Sequence, residues 1–267
     1  MSLSLLIARW RGLALSLLGV LATVLLALSG QLGFYIHPRY TVFTIVMAAI
    51  AAVLIVGAFA VGTDEEDDDD HEEHEDHEGH EGHASQAARR RRPGALFGAA
   101  GSVLVVVVAA VALFAVPPTP LTSSALQQRD LNGSAGQHGS LAPAAALGDD
   151  TSGYTVKDWA ALIRQGTAPD DLAGRSATLT GFVTPDTDDP ENVFFVARFV
   201  VTCCAVDAQP VGVAVYLPHW ADTLSVDDWV TAEGTFEPNP SVLSLSSVAL
   251  DAVTVTPIDE PSEPYVY

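Results

Sequence analysis

The hydrophobic positions of the chain form three long runs, followed by a region of short alternating stretches. The runs are Leu13–Ile36, Thr41–Val61 and Ala95–Val116, and each is apolar on every helical face. A bilayer core of ~30 Å needs about 20 apolar residues of helix, so each run is long enough to span a membrane. We therefore expect three transmembrane helices, the first two joined as an uncleaved hairpin through the turn HPRY.

Beyond residue 153 the apolar period becomes shorter. The stretch TVKDWAALIRQG predicts one short helix, capped by Thr155 with Asp158. Five later stretches alternate with period two and predict strands: RSATLTGFVT, FFVARFVVTCC, PVGVAVYLP, DDWVTAEGTFEP and SVALDAVTVTP. Gly181 and Gly234 lie inside strands, where glycine often marks a bulge or a bend. These features predict an all-β domain folded as an OB-like five-stranded barrel, with a β-sandwich as the alternative.

These patterns divide the chain into five parts. They are a two-span helical hairpin (1–61), an acidic, histidine-rich disordered loop (62–94), a third transmembrane helix (95–116), a flexible linker (117–153) and the β domain (154–267). Arg9 and Arg11 precede the first run, and Arg89–Arg92 precede the third. Because basic residues mark the cytoplasmic side, we expect the N-terminus and the acidic loop in the cytoplasm, and the β domain outside the plasma membrane.

Charge is distributed as unevenly as hydrophobicity. The net charge is -21, and the segment 64–81 holds a dense run of the acids. An acidic balance argues against nucleic acid as a partner, because phosphate binding needs lysine and arginine. Four further acids share one turn between two predicted strands, where a solvated turn is expected in preference to a calcium site: Asp186, Asp188, Asp189 and Glu191.

The acidic loop contains the sequence HEEHEDHEGHEGH, in which histidine recurs at every third position. Imidazole suits zinc, copper and nickel, and the neighbouring carboxylates add further ligands. The spacing predicts several weak, exchangeable sites for zinc or another transition metal, with these residues as ligands: His71, His74, His77, His80 and His83. The alternative is an acidic, solvated spacer that offsets the RRRR run.

The chain has two cysteines, Cys203 and Cys204, which are adjacent. On a regular strand neighbouring side chains point to opposite faces, so the pair could not share one metal there. Three interpretations remain: small residues at a strand end, a strained vicinal disulfide, or a soft-metal site with Asp207 or His219. Arg198 is expected to pair with Asp207 or with an acid of a partner.

The segment Val196–Val215, VARFVVTCCAVDAQPVGVAV, carries a family resemblance. It resembles the YcgQ-like family of bacterial membrane proteins, described as permease subunits, through an RF-x3-CC motif. The matching residues are Arg198, Phe199, Cys203, Cys204, Asp207, Ala208, Pro210 and Gly212. TLTGFV, Thr178–Val183, also looks like the first barrel strand of that family. The resemblance implies a partner: a multi-spanning permease encoded as a separate chain.

The predicted spans contain almost no ionisable groups, so three such helices cannot line an aqueous pore by themselves. No nucleophile elbow, Walker loop or zinc-protease motif occurs in the sequence, and we predict that the protein is not an enzyme. The expected function is an accessory subunit of a membrane permease that handles a zinc-like divalent metal. The alternative is a membrane-anchored extracytoplasmic binding or assembly module without a transport role. A thiol oxidoreductase is a weaker hypothesis, because C-x-x-C is absent.

Overall fold

The computed structural model describes residues 3–61, 94–126, 129–133 and 151–267. These residues form two compact units. The helical unit comprises Met1–Gly30 and Thr41–Pro117, and the β unit comprises Gln31–Tyr40 and Pro118–Tyr267. The connection between the first two helices therefore belongs to the β unit.

The described part of the helical unit contains three helices, α1 (Leu3–Leu28), α2 (Thr41–Val61) and α3 (Gly94–Ala115). Helix α1 packs against both α2 and α3. Large apolar side chains such as Val42, Val53 and Leu104 are nevertheless exposed. A helix that is apolar on all sides is typical of a lipid environment or of a buried core.

Among the described residues, one helix is long and apolar enough to cross a membrane, and it runs over Pro38–Ala58. The prediction of an integral membrane protein with three spans is therefore wrong. The first predicted span, Leu13–Ile36, is cut short because α1 ends before Gly30, which has a φ of 76°. This leaves Gly12–Leu28 as a shorter apolar helix, and the corresponding part of α3 is Val103–Ala115.

The β unit is built around a single mixed sheet. Its strands are β1 (Ser176–Pro185), β2 (Val193–Val200), β3 (Gln209–Tyr216), β4 (Trp229–Pro238), β5 (Val248–Pro257) and β6 (Tyr265–Val266). The strand order is β1-β4-β5-β3-β2-β6, and β1 also pairs with β2. The β3–β5 and β2–β6 pairs are parallel, and the other pairs are antiparallel.

The five stretches predicted to be strands each form one, and the β1–β2 pairing closes them into a ring, but the predicted count of five strands is wrong, and so is the sandwich alternative. The sheet has six strands, because β6 adds Tyr265 and Val266 beside Phe199 and Val200. Two residues in a tail rich in acids and proline are too few to show a period, so the sequence pattern did not indicate this strand.

Three short helices complete the described part of the β unit: α4 (Ser123–Leu126), α5 (Val156–Arg164) and α6 (Pro169–Leu172). The predicted capping of α5 is confirmed, since the backbone N–H of Thr155 donates to the Asp158 carboxylate at 2.8 Å. Helix α5 buries Trp159, whose ring lies 4.7 Å from that of Phe236 in the core. The amphipathic helix thus covers one face of the sheet.

Gly181 and Gly234 occupy positions where the strands leave no room for a side chain. A Cβ on Gly234 would lie 2.1 Å from the carbonyl oxygen of Asp251, and one on Gly181 would lie 2.4 Å from that of Ala197. The β4–β5 register shifts between Glu233 and Gly234, so the predicted bulge or bend is confirmed there.

Part of the predicted linker belongs to the β unit. The side chain of Asn132 binds the backbone of strand β3 at Gly212. Its Nδ2 donates to the Gly212 carbonyl at 2.9 Å, and its Oδ1 accepts the Gly212 N–H at 2.8 Å. These two bonds continue the hydrogen bonding of the sheet edge. The acidic loop over 62–93 lies outside the described residues.

Candidate metal centre

The two cysteines lie in the loop between β2 and β3. Strand β2 ends at Val200, and a short 3-10 turn, Ala205–Asp207, precedes β3. Because the strand has ended, the alternation that would separate Cys203 from Cys204 no longer applies. One ligand atom from each of Cys203, Cys204 and Asp207 lies within 4.8 Å of the other two. We refer to residues 202–207 as the Cys loop.

Asp207 organises the Cys loop through its carboxylate. The backbone N–H of Cys203 donates to it at 2.7 Å, that of Thr202 at 3.2 Å and that of Cys204 at 3.4 Å. A carboxylate that gathers successive backbone N–H groups curls the chain around itself. The backbone of both cysteines therefore belongs to a turn centred on the Asp207 carboxylate.

Both cysteines are free thiols, with Cys203 exposed and Cys204 partly buried. Desolvation, the Cys204 thiol and the Asp207 carboxylate raise the pKa of Cys203 above the usual thiol value, and Arg39 opposes this rise. The Cys204 thiol and the Asp207 carboxylate therefore disfavour the charged form of Cys203. A bound cation would offset this repulsion and hold both sulfurs as thiolates.

The donor set and its dimensions suit zinc. Tetrahedral zinc has Zn–S distances of about 2.3 Å, which places two bound sulfurs roughly 3.8 Å apart. The donors here lie within 4.8 Å of one another, so shifts of about 1 Å in the side-chain positions would bring them to bonding distance of one zinc ion. Thiolate ligands favour zinc and other soft metals over magnesium and calcium, which prefer oxygen alone.

Two of the other residues predicted for this site lie elsewhere. Arg198 is not paired with Asp207; its guanidinium donates to the backbone carbonyls of Pro264, at 3.1 Å, and Glu263, and lies over the Trp229 ring at 5.5 Å. It therefore anchors the C-terminal segment against β2. The imidazole of His219 lies 3.3 Å from the carboxylate of Glu191 and is outside the Cys203–Cys204–Asp207 group.

Residues that the sequence pattern did not single out hold the Cys loop from two sides. On one side, the guanidinium of Arg39 donates to the carbonyl of Thr202 at 2.8 Å. On the other, Arg129 donates to the carbonyls of Ala208 at 2.7 Å and Val206 at 3.4 Å. Both arginines are distant from the loop in sequence, so no local signal could have indicated them.

Two acids of the β1–β2 turn accept side-chain hydrogen bonds. Asp186 accepts the hydroxyl of Ser244 at 2.5 Å, and Asp189 accepts that of Ser241 at 2.6 Å and the amide of Asn192 at 2.9 Å. Asp186 and Asp189 are buried, so they fix the β4–β5 loop to this turn instead of forming the solvated turn expected from the sequence.

The remaining predicted ligands are the loop histidines, which lie outside the described residues: His71, His74, His77, His80 and His83.

Comparisons with known proteins place the chain in a family. No curated protein sequence matches it. A solved structure, "OBody AM2EP06 bound to hen egg-white lysozyme", is 22% identical over 33% of this chain and 82% of its own, with a TM-score of 0.22. The DUF1980 N-terminal domain matches residues 10–132, and the DUF1980 C-terminal domain matches residues 156–267. The chain therefore belongs to the DUF1980 family and carries both the N-terminal and the C-terminal domain of that family.

Proposed function

We propose that the protein binds a zinc-like divalent metal at Cys203, Cys204 and Asp207. The observation that carries this proposal is the convergence of two free thiols and a carboxylate within 4.8 Å in one loop. With three protein donors, the centre leaves a fourth tetrahedral position for another ligand or for exchange. Because Cys203 is exposed, a metal can reach this centre from solvent. The protein then acts by binding and transferring the metal, and not as an enzyme.

We further propose that this centre serves an accessory subunit of a membrane permease. Two observations support this role: the apolar helix Pro38–Ala58, which is long enough to attach the chain to a bilayer, and the resemblance to the YcgQ-like permease subunits. The histidine run His71–His83 would add weak sites for the same metal class and raise its local concentration. The permease itself would be a separate, multi-spanning chain.

A membrane-attached binding or assembly module without transport is the second candidate. It is favoured by apolar side chains that protrude from the β4–β5 loop, where Val242 is 96% and Leu245 is 89% exposed. Because the loop is tied down by Asp186 and Asp189, these side chains are held in position and can contact a protein partner.

Alkylation of the full-length protein tests the metal centre. Zinc is expected to slow the modification of Cys203 and Cys204, and magnesium is not. Asp207→Ala should abolish the protection, whereas Asp222→Ala, at an exposed acid outside the Cys loop, should leave it unchanged. Equal alkylation rates with and without zinc would refute the proposed centre.

Substitution of the cysteines and deletion of the acidic loop separate the two candidate roles. If the protein serves a metal permease, cells that produce Cys203→Ser or Cys204→Ser should become sensitive to metal limitation, and a multi-spanning protein should co-purify with the full-length chain. Normal metal tolerance after deletion of residues 64–83, combined with loss of function in the cysteine variants, favours the binding module.

The side of the membrane on which the β unit lies is tested with the native cysteines. A thiol reagent that cannot cross membranes should label Cys203 in intact cells if the β unit is extracytoplasmic. Labelling only after the cells are opened would place it in the cytoplasm. The sequence contains two cysteines, and both lie in the Cys loop, so any label reports the accessibility of that loop.

A further inference from the structure

The Cys loop is paired with the turn that connects α1 to α2. Ile36 and Cys204 form an isolated antiparallel bridge. The backbone N–H of His37 donates to the carbonyl of Cys203 at 3.0 Å, and the N–H of Ala205 donates to the carbonyl of Tyr35 at 2.8 Å. Both segments belong to the β unit, so this pairing lies inside one compact body.

The register of this bridge places the backbone of His37 across from that of Cys203, while its imidazole packs against the Tyr267 ring at 4.4 Å and lies outside the 4.8 Å group, so coordination requires the ring to turn toward the thiols. Since Ile36 faces Cys204, the next residue, His37, stands across from Cys203. Residues that face each other across an antiparallel pair have Cβ atoms about 4.5–5.5 Å apart and project to the same side. The His37 imidazole is also close enough to Asp207 to feel its charge.

We propose that His37 is the fourth ligand of the centre formed by Cys203, Cys204 and Asp207, and that a bound metal thereby fastens the α1–α2 connection to the Cys loop. This inference rests on the proposed function. It deepens that function by assigning a complete tetrahedral donor set of two sulfurs, one nitrogen and one oxygen. Zinc prefers four-coordinate sites of such sulfur, nitrogen and oxygen ligands.

The state of the imidazole suits this role. Desolvation and the charge of Arg39 lower the pKa of His37, and the Asp207 carboxylate opposes this effect. The Nδ1 of His37 accepts the backbone N–H of Arg39 at 3.1 Å. A metal bound through Nδ1 takes the lone pair that accepts this bond, and one bound through Nε2 shifts the ring proton to Nδ1. Coordination through either nitrogen therefore ends the bond from Arg39.

The consequence is a coupling between metal and chain connection. Without metal, the turn is held by backbone bonds to the Cys loop and by the Arg39 bond to Thr202. With metal, a coordination bond from His37 joins the two segments directly. Because residues 31–40 continue into α1 and α2, the metal restrains the point at which both helices begin or end.

Cobalt titration of the full-length protein tests the ligand. Sulfur-to-cobalt charge transfer reports only metal bound at Cys203 and Cys204, because the chain has no other cysteine, so the loop histidines do not contribute. His37→Ala should keep this band but weaken cobalt binding. Loss of a group that only supports a metal ligand weakens binding by about 10- to 100-fold, and loss of a ligand should weaken it at least as much. His219→Ala, at an exposed histidine paired with Glu191, should bind as the wild type does.

A second variant guards against simple misfolding. His37→Cys, kept reduced, should restore tight binding and strengthen the charge-transfer band by about half, since three thiolates replace two. Hydrogen exchange gives an independent signature: cobalt should protect the amides of His37 and Ala205 in the wild type and expose that of Arg39, and none of these changes should occur in His37→Ala.

The outcomes separate the two proposals. If the wild type shows no charge-transfer band, the metal centre itself is refuted, and the role of His37 falls with it. If the band appears but His37→Ala binds as tightly as the wild type, or His37→Cys fails to strengthen the band, the centre stands and His37 is not its ligand.

Discussion

The loss of the Asp207 carboxylate should loosen the Cys loop even without metal. Of the three N–H groups that it accepts, that of Cys203 is closest, at 2.7 Å, while the bond from Cys204 is 3.4 Å long and weak. A hydrogen bond to a charged group contributes about 1.5–3 kcal/mol. Because Cys203 is exposed and water can replace part of the bond, we expect about 1.5–2 kcal/mol for Asp207→Ala.

Hydrogen exchange of single amides in the metal-free, full-length protein measures this effect. Since 1.36 kcal/mol corresponds to tenfold, the Cys203 amide should exchange about 10- to 30-fold faster in Asp207→Ala. The Cys204 amide should change less. Asp207→Asn keeps one carbonyl oxygen and should lie between the wild type and Asp207→Ala. Unchanged protection of the Cys203 amide in Asp207→Ala would refute the role of Asp207 as the organiser of the loop.

Three further substitutions probe the β unit. Gly234→Ala places a Cβ against the backbone carbonyl of Asp251 and should lower the free energy of unfolding by about 1–3 kcal/mol, seen as a reduced Tm. Arg198→Lys loses the two carbonyl bonds to the C-terminal segment and should make that segment more susceptible to protease. Hydrogen bonds, led by that from Ser241, lower the pKa of Asp189, so its stabilising effect is present above the usual carboxyl pKa and is lost as the pH falls through the lowered value. Ser241→Ala should therefore move acid unfolding to higher pH, as followed by circular dichroism.

Matched controls exist for two of these substitutions. Gly153→Ala meets nothing within 4 Å and should leave Tm unchanged. Arg164→Lys, at an exposed position on α5, should not alter protease susceptibility. If Gly234→Ala unfolds at the wild-type temperature, the backbone at the bulge has room for a Cβ, contrary to the argument. If Ser241→Ala unfolds at the wild-type pH, the bond from Ser241 to Asp189 does not contribute to acid stability.

The alternation of the C-terminal region predicted its strands, although β2 and β3 bury residues on both sides of the sheet. The same local pattern failed at the strand ends. It extended β2 through Cys203 and Cys204, whereas Asp207 draws the backbone N–H groups of that stretch into a turn after Val200. A side chain three or four residues away thus overrides β-propensity, which depends strongly on context.

The surroundings of the candidate metal centre could not be predicted from any local sequence pattern. Arg39 is 163 residues from the carbonyl that it binds on Thr202, and nothing in HPRY indicates a contact with a strand loop. Apolar content likewise suggested a first span through Ile36, but the turn after Leu28 diverts the chain into the β unit. The motif residues could be named from the sequence, while their three-dimensional partners could not.

Tyr265 joins two segments of the β unit that are far apart in the sequence. Its hydroxyl donates to the carbonyl of Phe34, 231 residues earlier, and accepts the N–H of Leu121. At about 5–20 residues per second on a ribosome, roughly 12–46 s pass between the synthesis of Phe34 and that of Tyr265. The cysteines therefore emerge before β6, the edge strand that pairs with the end of β2. If the Cys loop binds metal as proposed, its surroundings are complete only once β6 has been made.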